Sequence, residues 1–135
     1  MKKLLFLLTL FNILVSQNLQ YEFLDALKAF EDNNIQNDKL ALETLTPLSN
    51  EDKNAAFLLG YYYKTPKYKN LNAEKSFKYY LKAAELGEVD AMLITGWNYY
   101  KAKGTSYNMK EAKKWLEKAS IAGDKEAESM LNFIF

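Results

Sequence analysis

Residues 54–87 read NAAFLLGYYYKTPKYKNLNAEKSFKYYLKAAELG, and residues 90–123 repeat the pattern as DAMLITGWNYYKAKGTSYNMKEAKKWLEKASIAG. Ten positions of the first stretch correspond to positions 36 residues further on. The identical pairs are Ala55 and Ala91, Gly60 and Gly96, Tyr63 and Tyr99, Asn72 and Asn108, Lys78 and Lys114, Lys82 and Lys118, Ala83 and Ala119, and Gly87 and Gly123, and the aromatic pairs that change type are Tyr61 and Trp97, and Tyr79 and Trp115. A third copy opens with Ala127 and stops at Phe135. Because a unit of this length cannot bury its apolar face alone, neighbouring units must stack. We therefore expect a short repeat array whose function lies on a surface.

The repeated segments read as pairs of helices. Asn72 and Asn108 stand where an N-cap is expected, before a stretch with helical apolar spacing. Gly87 and Gly123 follow at the position typical of a helix C-terminus. No segment has the alternating pattern of a β-strand, so the pattern predicts an all-α fold of seven antiparallel neighbouring helices.

The helices outside the repeats are predicted from capping residues. Residues 20–30 have the apolar spacing of a helix, and residues 31–37 form a polar linker. Asp38 is the predicted N-cap of a short helix that Pro47 closes.

A further helix should follow at once and end near Lys64. Ser49 with Asp52 three residues later resembles a capping box at its start. Asp124 is the predicted cap of the last helix.

Two glycines inside predicted helices point to close helix crossings. A Gly in a helix interior costs ~1 kcal/mol relative to Ala. The presence of glycine at both position 60 and position 96 therefore indicates that two helices cross there too closely to leave room for a side chain. Tyr79 and Trp115 are expected to fill the space between repeats beside these crossings.

Composition excludes several kinds of chemistry. The 135 residues contain 18 Lys, 17 Asp and Glu, and no His, Cys or Arg. Imidazole or thiolate metal sites, Cys or His nucleophiles and disulfides are therefore excluded. The balanced charge and the lack of Arg argue against nucleic-acid binding, and the Lys-rich segments 64–82 and 101–118 are interpreted as solvated surface. No cofactor is predicted.

The first 17 residues resemble a signal peptide. Two lysines at positions 2 and 3 precede an apolar run at residues 4–15. This run of 12 residues suits a signal-peptide core and is short for a bilayer span of ~20. We expect cleavage after Ser16 or Gln17, a periplasmic or secreted bacterial protein, and membrane contact only through the transient signal. An uncleaved anchor and a buried first helix are the alternatives.

The repeated residues are similar to the sequence pattern of a known protein family. The pattern Ala-x-x-x-Leu-Gly-x-x-Tyr, followed by a loop and Lys-Ala-x-x-Trp-Tyr-x-Lys-Ala-Ala-x-x-Gly, resembles the Sel1-like repeat, a relative of the tetratricopeptide repeat. The first copy carries it as Ala55, Leu59, Gly60, Tyr63, Lys75, Tyr79, Tyr80, Lys82, Ala83, Ala84 and Gly87, and the second as Ala91, Gly96, Tyr99, Ala112, Trp115, Lys118, Ala119 and Gly123. The resemblance implies a short right-handed α-solenoid of stacked antiparallel helix pairs.

The chain departs from the family pattern in its loops and in lacking cysteine. Pro66 and residues 67–69 replace the family's Gly-x-Gly-Val, and the second loop keeps only Gly104. Some secreted members are cysteine-rich, with a disulfide in each repeat, and have been linked to penicillin binding. Because this chain has no Cys, that activity does not carry over directly.

The resemblance and the period together predict five segments. These are a signal peptide at 1–17, a helical pair that is a degenerate repeat or cap at 18–53, repeats at 54–89 and 90–125, and a capping helix, a partial repeat, at 126–135.

An aromatic groove is the candidate binding site. In tetratricopeptide-like repeats the first helix of each pair lines a concave surface, and the residues three before, one after and four after the motif Gly share the helical face that points into it. The corresponding residues are Phe57, Tyr61, Lys64, Leu93, Trp97, Tyr100 and Phe133. Such a stripe suits an extended peptide or a helix, although the N-terminal helices could instead cover it.

The sequence therefore predicts a monomeric protein–protein interaction scaffold or adaptor that binds a protein or peptide and is not an enzyme. One alternative is a cell-envelope enzyme or drug-binding protein, β-lactamase-like, as suggested for the cysteine-rich relatives. Another is a regulator that binds the periplasmic domain of a membrane sensor.

Overall fold

The computed structural model describes residues 35–66 and 70–135, with side chains from residue 39 onward. These residues form six α-helices and contain no β-strand. The helices are α1 Ile35–Leu48, α2 Lys53–Lys64, α3 Ala73–Glu85, α4 Val89–Lys101, α5 Met109–Ile121 and α6 Lys125–Ile134. The chain divides into two compact units, Met1–Leu45 and Thr46–Phe135. Helices α2 to α6 belong to the second unit, and the helix predicted at residues 20–30 lies outside the described residues.

Helix α1 begins earlier than its predicted cap. It starts at Ile35, three residues before Asp38, and so takes in the end of the predicted linker. None of residues 35–38 is Gly or Pro, and nothing in this segment therefore opposes a helix. Pro47 lies inside the last turn, and the helix ends one residue later at Leu48.

The capping box predicted before α2 is wrong, because Asp52 itself is the N-cap. Its carboxylate accepts hydrogen bonds from the backbone N–H groups of Asn54, at 2.8 Å, and Ala55, at 2.9 Å. The hydroxyl of Ser49 instead donates to the carbonyl oxygen of Thr46 at 2.7 Å. A turn between α1 and α2 places the carboxylate, a charged acceptor, next to the free N–H groups of the helix start.

The caps predicted for the repeats are confirmed. The side chains of Asn72 and Asn108 each accept a hydrogen bond from the backbone N–H three residues on, at 2.8 and 3.0 Å. Asp124 caps α6 in the same way at 2.9 Å. Gly87 and Gly123 follow α3 and α5 with φ of 94° and 101°, a left-handed conformation that other residues adopt only with strain.

The two helices of each repeat cross where the sequence predicts. A Cβ atom on Gly60 would lie 2.8 Å from the ring of Tyr80, which packs α3 against α2. A Cβ atom on Gly96 would lie 2.8 Å from Leu116 Cγ and 3.1 Å from the carbonyl oxygen of Ala112, which packs α5 against α4. The glycines therefore allow each helix pair to approach closely.

The repeats stack through α3 with α4 and α5 with α6. Trp115 is 4% exposed and belongs to one core cluster with Ala84 of α3 and Ala91 of α4, between the repeats as predicted. Tyr79 occupies the same position in the first repeat but is only half-buried. Its ring stacks on that of Tyr63, with centroids 5.8 Å apart.

The second loop packs against the first repeat through Gly104. This residue has φ of 70°, and a Cβ atom on it would overlap the carbonyl oxygen of Ala73 at the start of α3. The retained glycine of this loop is thus required for the close approach. Residues 67–69 of the first loop lie outside the described residues.

Candidate functional site

A concave surface runs along α4 between the start of α3 and helix α6. Its larger part, which we call the main cavity, has a volume of about 640 Å³. The residues that line it are Tyr63, Lys64, Leu71, Asn72, Ala73, Ser76, Leu93, Ile94, Trp97, Asn98, Lys103, Glu126 and Met130. All of them lie in the second unit of the chain. Most of this surface is apolar, and its charged residues are Lys64, Lys103 and Glu126.

A second hollow, the small cavity, adjoins the main cavity. It has a volume of about 250 Å³, and Trp97, Glu126 and Met130 line both cavities. Tyr100 of α4 and Phe133 of α6 line only the small one. Trp97 therefore lies at the junction of the two, where a ligand that spans both would contact it.

Five of the seven residues predicted for the groove line these cavities. They are Lys64, Leu93, Trp97, Tyr100 and Phe133.

The remaining two lie elsewhere. The ring of Phe57 packs edge-on against the core residue Tyr80, with centroids 5.3 Å apart. Tyr61 is 47% exposed and lines neither cavity. The predicted aromatic residues that line the cavities are thus those of α4 and α6, and α2 instead contributes Tyr63, which was not predicted.

A lysine that the sequence did not single out lies over two of the aromatic rings. The Lys101 ammonium is 4.9 Å from the ring centroids of both Trp97 and Tyr100. The two rings are themselves 5.5 Å apart and tilted by 43°. These cation–π contacts hold the ring of Trp97 in place at the junction of the cavities.

The main cavity contains one nearly buried polar side chain without a partner. Asn98 is 8% exposed, and its amide makes no hydrogen bond within the part of the chain that the structure describes. The other buried polar residue of the cavity, Ser76, donates its hydroxyl to the carbonyl oxygen of Gly60 at 2.8 Å. No role in the site was predicted for Asn98 from the sequence. The signal was present, because the 36-residue period aligns Asn98 with Tyr62, a residue of a different type.

Charge around the main cavity is mixed. Lys64, Lys103 and Glu126 line it, and none of the three belongs to an ion pair among the described residues. Tyr99 lines neither cavity and packs against the core cluster between the repeats, where burial raises its pKa and the nearby Glu111 carboxylate raises it further. The phenol is therefore neutral at physiological pH and does not provide a base.

The described residues contain no cluster of three or more acidic side chains that could hold a metal ion. Within the same residues, no helix is long and apolar enough to cross a membrane. The side chains that line the main cavity offer aromatic and aliphatic contact, one buried amide, two lysine ammonium groups and one carboxylate.

Solved structures with the same architecture include proteins from three bacteria. A Sel1 repeat protein from Oxalobacter formigenes is 30% identical, and the match covers 83% of this chain and 45% of that one with a TM-score of 0.69. The Helicobacter pylori cysteine rich protein B (hcpB) is 28% identical over 87% of this chain and 97% of its own, with a TM-score of 0.60.

The third, c5321, is a protective antigen present in uropathogenic Escherichia coli strains displaying an SLR fold. It is 19% identical over 88% of this chain and 26% of its own, with a TM-score of 0.74, and this likeness concerns the fold alone. This chain spans less than half the length of the Oxalobacter and Escherichia proteins. No curated protein matches it.

The family model that matches is the Sel1 repeat, at residues 53–88 and 89–124. Each match begins one residue before the repeat boundary predicted from the sequence. The two matches together cover more than half of the 135 residues, and they coincide with the helix pairs α2–α3 and α4–α5. The chain belongs to the Sel1 repeat family.

Proposed function

We propose that this chain is a protein-interaction module that holds a peptide segment of its partner along α4, in the main cavity and across Trp97. The observation that carries the proposal is the main cavity itself, a hollow of about 640 Å³ with a half-buried Trp at its edge. A concave, mostly apolar surface with a few polar groups is typical of ligand sites, and Trp is enriched among residues that dominate binding energy.

The position of the aromatic residues supports a peptide rather than a flat protein surface. Trp97 lines both cavities, so one extended segment can contact Leu93 in the first and Phe133 in the second. Phe133 is 89% exposed and is thus available to a partner. Binding there would remove an exposed aromatic side chain from water, which is a favourable contribution to affinity.

Affinity capture from an envelope extract tests the proposal. Wild-type protein should retain a partner that Trp97→Ala loses, because truncating a central binding residue commonly costs ~2 kcal/mol or more of affinity. Tyr61→Ala is the matched control, since Tyr61 holds the same place in the first repeat but lies outside both cavities. Equal capture by wild type and Trp97→Ala would contradict binding at this surface.

We also propose that the chain is exported and matures near Gln17 or Asn18. The charged start, the apolar core at residues 4–15 and the polar residues that follow support this. N-terminal sequencing of protein from the envelope fraction should find the shortened chain. Recovery of intact Met1 from the cytosol would contradict export.

The enzyme or drug-binding alternative stays a prediction from the family resemblance. No feature of the described residues favours it over binding.

A further inference from the structure

At one buried position the two repeats carry different types of residue, although both repeats have the same fold. Tyr62 in the first repeat is fully buried, and its hydroxyl accepts a hydrogen bond from the side-chain amide of Asn70. The residue 36 positions later is Asn98, and Ser106 replaces Asn70. The large side chain and its partner are thus both absent from the second repeat.

The replacement leaves a polar group facing space. Asn98 lines the main cavity, is 8% exposed and has no hydrogen-bond partner among the described residues. Thr95 Oγ1 and Trp115 Nε1 are the fully buried polar side-chain atoms without a partner among the described residues, so the amide of Asn98 is open to water in the cavity of about 640 Å³. A ligand that displaces this water must replace its hydrogen bonds, because an unpaired buried amide would lose them without compensation. The amide therefore favours a ligand that pairs with it.

The chemistry of the side chain indicates what that ligand presents. The Asn amide carries donors on its nitrogen and an acceptor on its oxygen, side by side. A residue in an extended segment presents its own main-chain N–H and C=O on the same side, and this is the pair that complements the amide. A carboxylate or an ammonium group would satisfy only one half of the amide.

We infer that Asn98 binds the main-chain N–H and C=O of one residue of the partner, while an apolar side chain of the same segment packs on Trp97. This rests on the proposed function and assigns its specificity-determining polar contact. Trp97 precedes Asn98 in α4 and lines the same cavity. Both contacts therefore fall within one short ligand segment, in which successive residues are ~3.3 Å apart.

Nuclear magnetic resonance with a minimal probe tests the inference. N-isopentylacetamide carries one secondary amide and a leucine-like chain, and its N-methylated analogue has the same carbonyl but no N–H. Titration with the first should shift the side-chain amide resonances of Asn98 and the indole resonance of Trp97 in a saturable way. The N-methylated analogue should bind about tenfold more weakly, the loss expected for one hydrogen bond of this kind.

Two variants complete the test. Asn98→Leu should keep the fold and lower the affinity for N-isopentylacetamide by about tenfold. Asn132→Leu makes the same change at an exposed amide of α6 and should leave the affinity unchanged. Circular dichroism and melting temperature show whether either variant is folded.

The outcomes separate this inference from the proposed function. If Asn98→Leu and wild type bind the probe alike, or if the Asn98 resonances do not move, the inference is overturned. Partner capture that depends on Trp97 but not on Asn98 would also overturn the inference, while the binding surface itself would stand. Capture that depends on neither residue would overturn both.

Discussion

The two tryptophans should respond in opposite ways to truncation, and the difference can be worked out from their surroundings. Trp115 is 4% exposed, between α3, α4 and α5. A buried aromatic side chain removes roughly 150–250 Å² from water, worth about 4–6 kcal/mol at roughly 25 cal/mol per Å². Its indole N–H has no partner among the described residues, and truncation returns about 1–3 kcal/mol of that desolvation cost. Trp115→Ala should therefore destabilise the protein by about 3 kcal/mol, at the lower end of the range for buried aromatic truncations.

Trp97→Ala should cost far less stability. The side chain is half-buried at the edge of the main cavity, where its ring packs 5.5 Å from that of Tyr100, and truncation also removes the cation–π contact with Lys101 at 4.9 Å. An exposed contact of this kind contributes about 0.5–1 kcal/mol, and the partly buried ring adds about 1 kcal/mol. The expected loss is about 1–2 kcal/mol, together with the loss of partner capture.

Urea unfolding followed by circular dichroism measures both losses without depending on tryptophan fluorescence. Trp115→Phe is the control that keeps a ring and removes the unpaired N–H, so it should lose much less stability than Trp115→Ala. It also leaves Trp97 as a single fluorescent reporter of the cavity. If Trp97→Ala unfolds as readily as Trp115→Ala, Trp97 is a core residue and the reasoning about the binding surface fails.

Three further variants test the fold. Gly96→Leu should destabilise the protein by about 3 kcal/mol or more in thermal unfolding, because the new side chain would overlap Leu116. Adding Leu116→Ala to the same chain should restore part of the lost stability, because it removes the overlapping side chain. Burial raises the pKa of Tyr80 above its ordinary value of 10.0, and Tyr61 adds to the shift. The neutral phenol is therefore favoured in the folded state, and stability present below pH 10 should be lost as pH rises further. Between pH 10 and 11 the free energy of unfolding of the wild type should fall by up to about 1.4 kcal/mol more than that of Tyr80→Phe. Tyr107→Phe, a change at an exposed site, should show the same pH dependence as the wild type. Asn108→Ala removes the cap of α5 and should cost about 1 kcal/mol in urea unfolding; no measurable change would show that the cap is dispensable.

The elements that the sequence predicted correctly are those with local signals. A side-chain acceptor at Asn72 or Asn108 and a left-handed Gly at Gly87 or Gly123 act within one helix turn, so their spacing suffices to place the helix ends. The start of α1 was misjudged because Asp38 is also a favourable residue inside a first helix turn.

The candidate site was only partly predictable, because it depends on which side chains face the same space. Helical spacing placed Phe57 in line with Leu93, yet the ring lies against Tyr80 in the core of the first repeat. Periodicity alone cannot distinguish a residue that lines a groove from one that packs beside it. Met130 was likewise missed, since its role depends on where α6 lies relative to α4.

The two repeats show how a site can be opened without disturbing the fold. The residues that determine helix approach, Gly60 and Gly96, are the same in both repeats and face the second helix of each pair. Positions 62 and 98 lie two residues further along the same helices, and neither is among the nearest neighbours of a Cβ atom added to the glycine. A change there from Tyr62 to Asn98 removes a ring and leaves the helix crossing intact. In the proposed binding mode, helix approach and recognition therefore depend on different positions of one 36-residue unit.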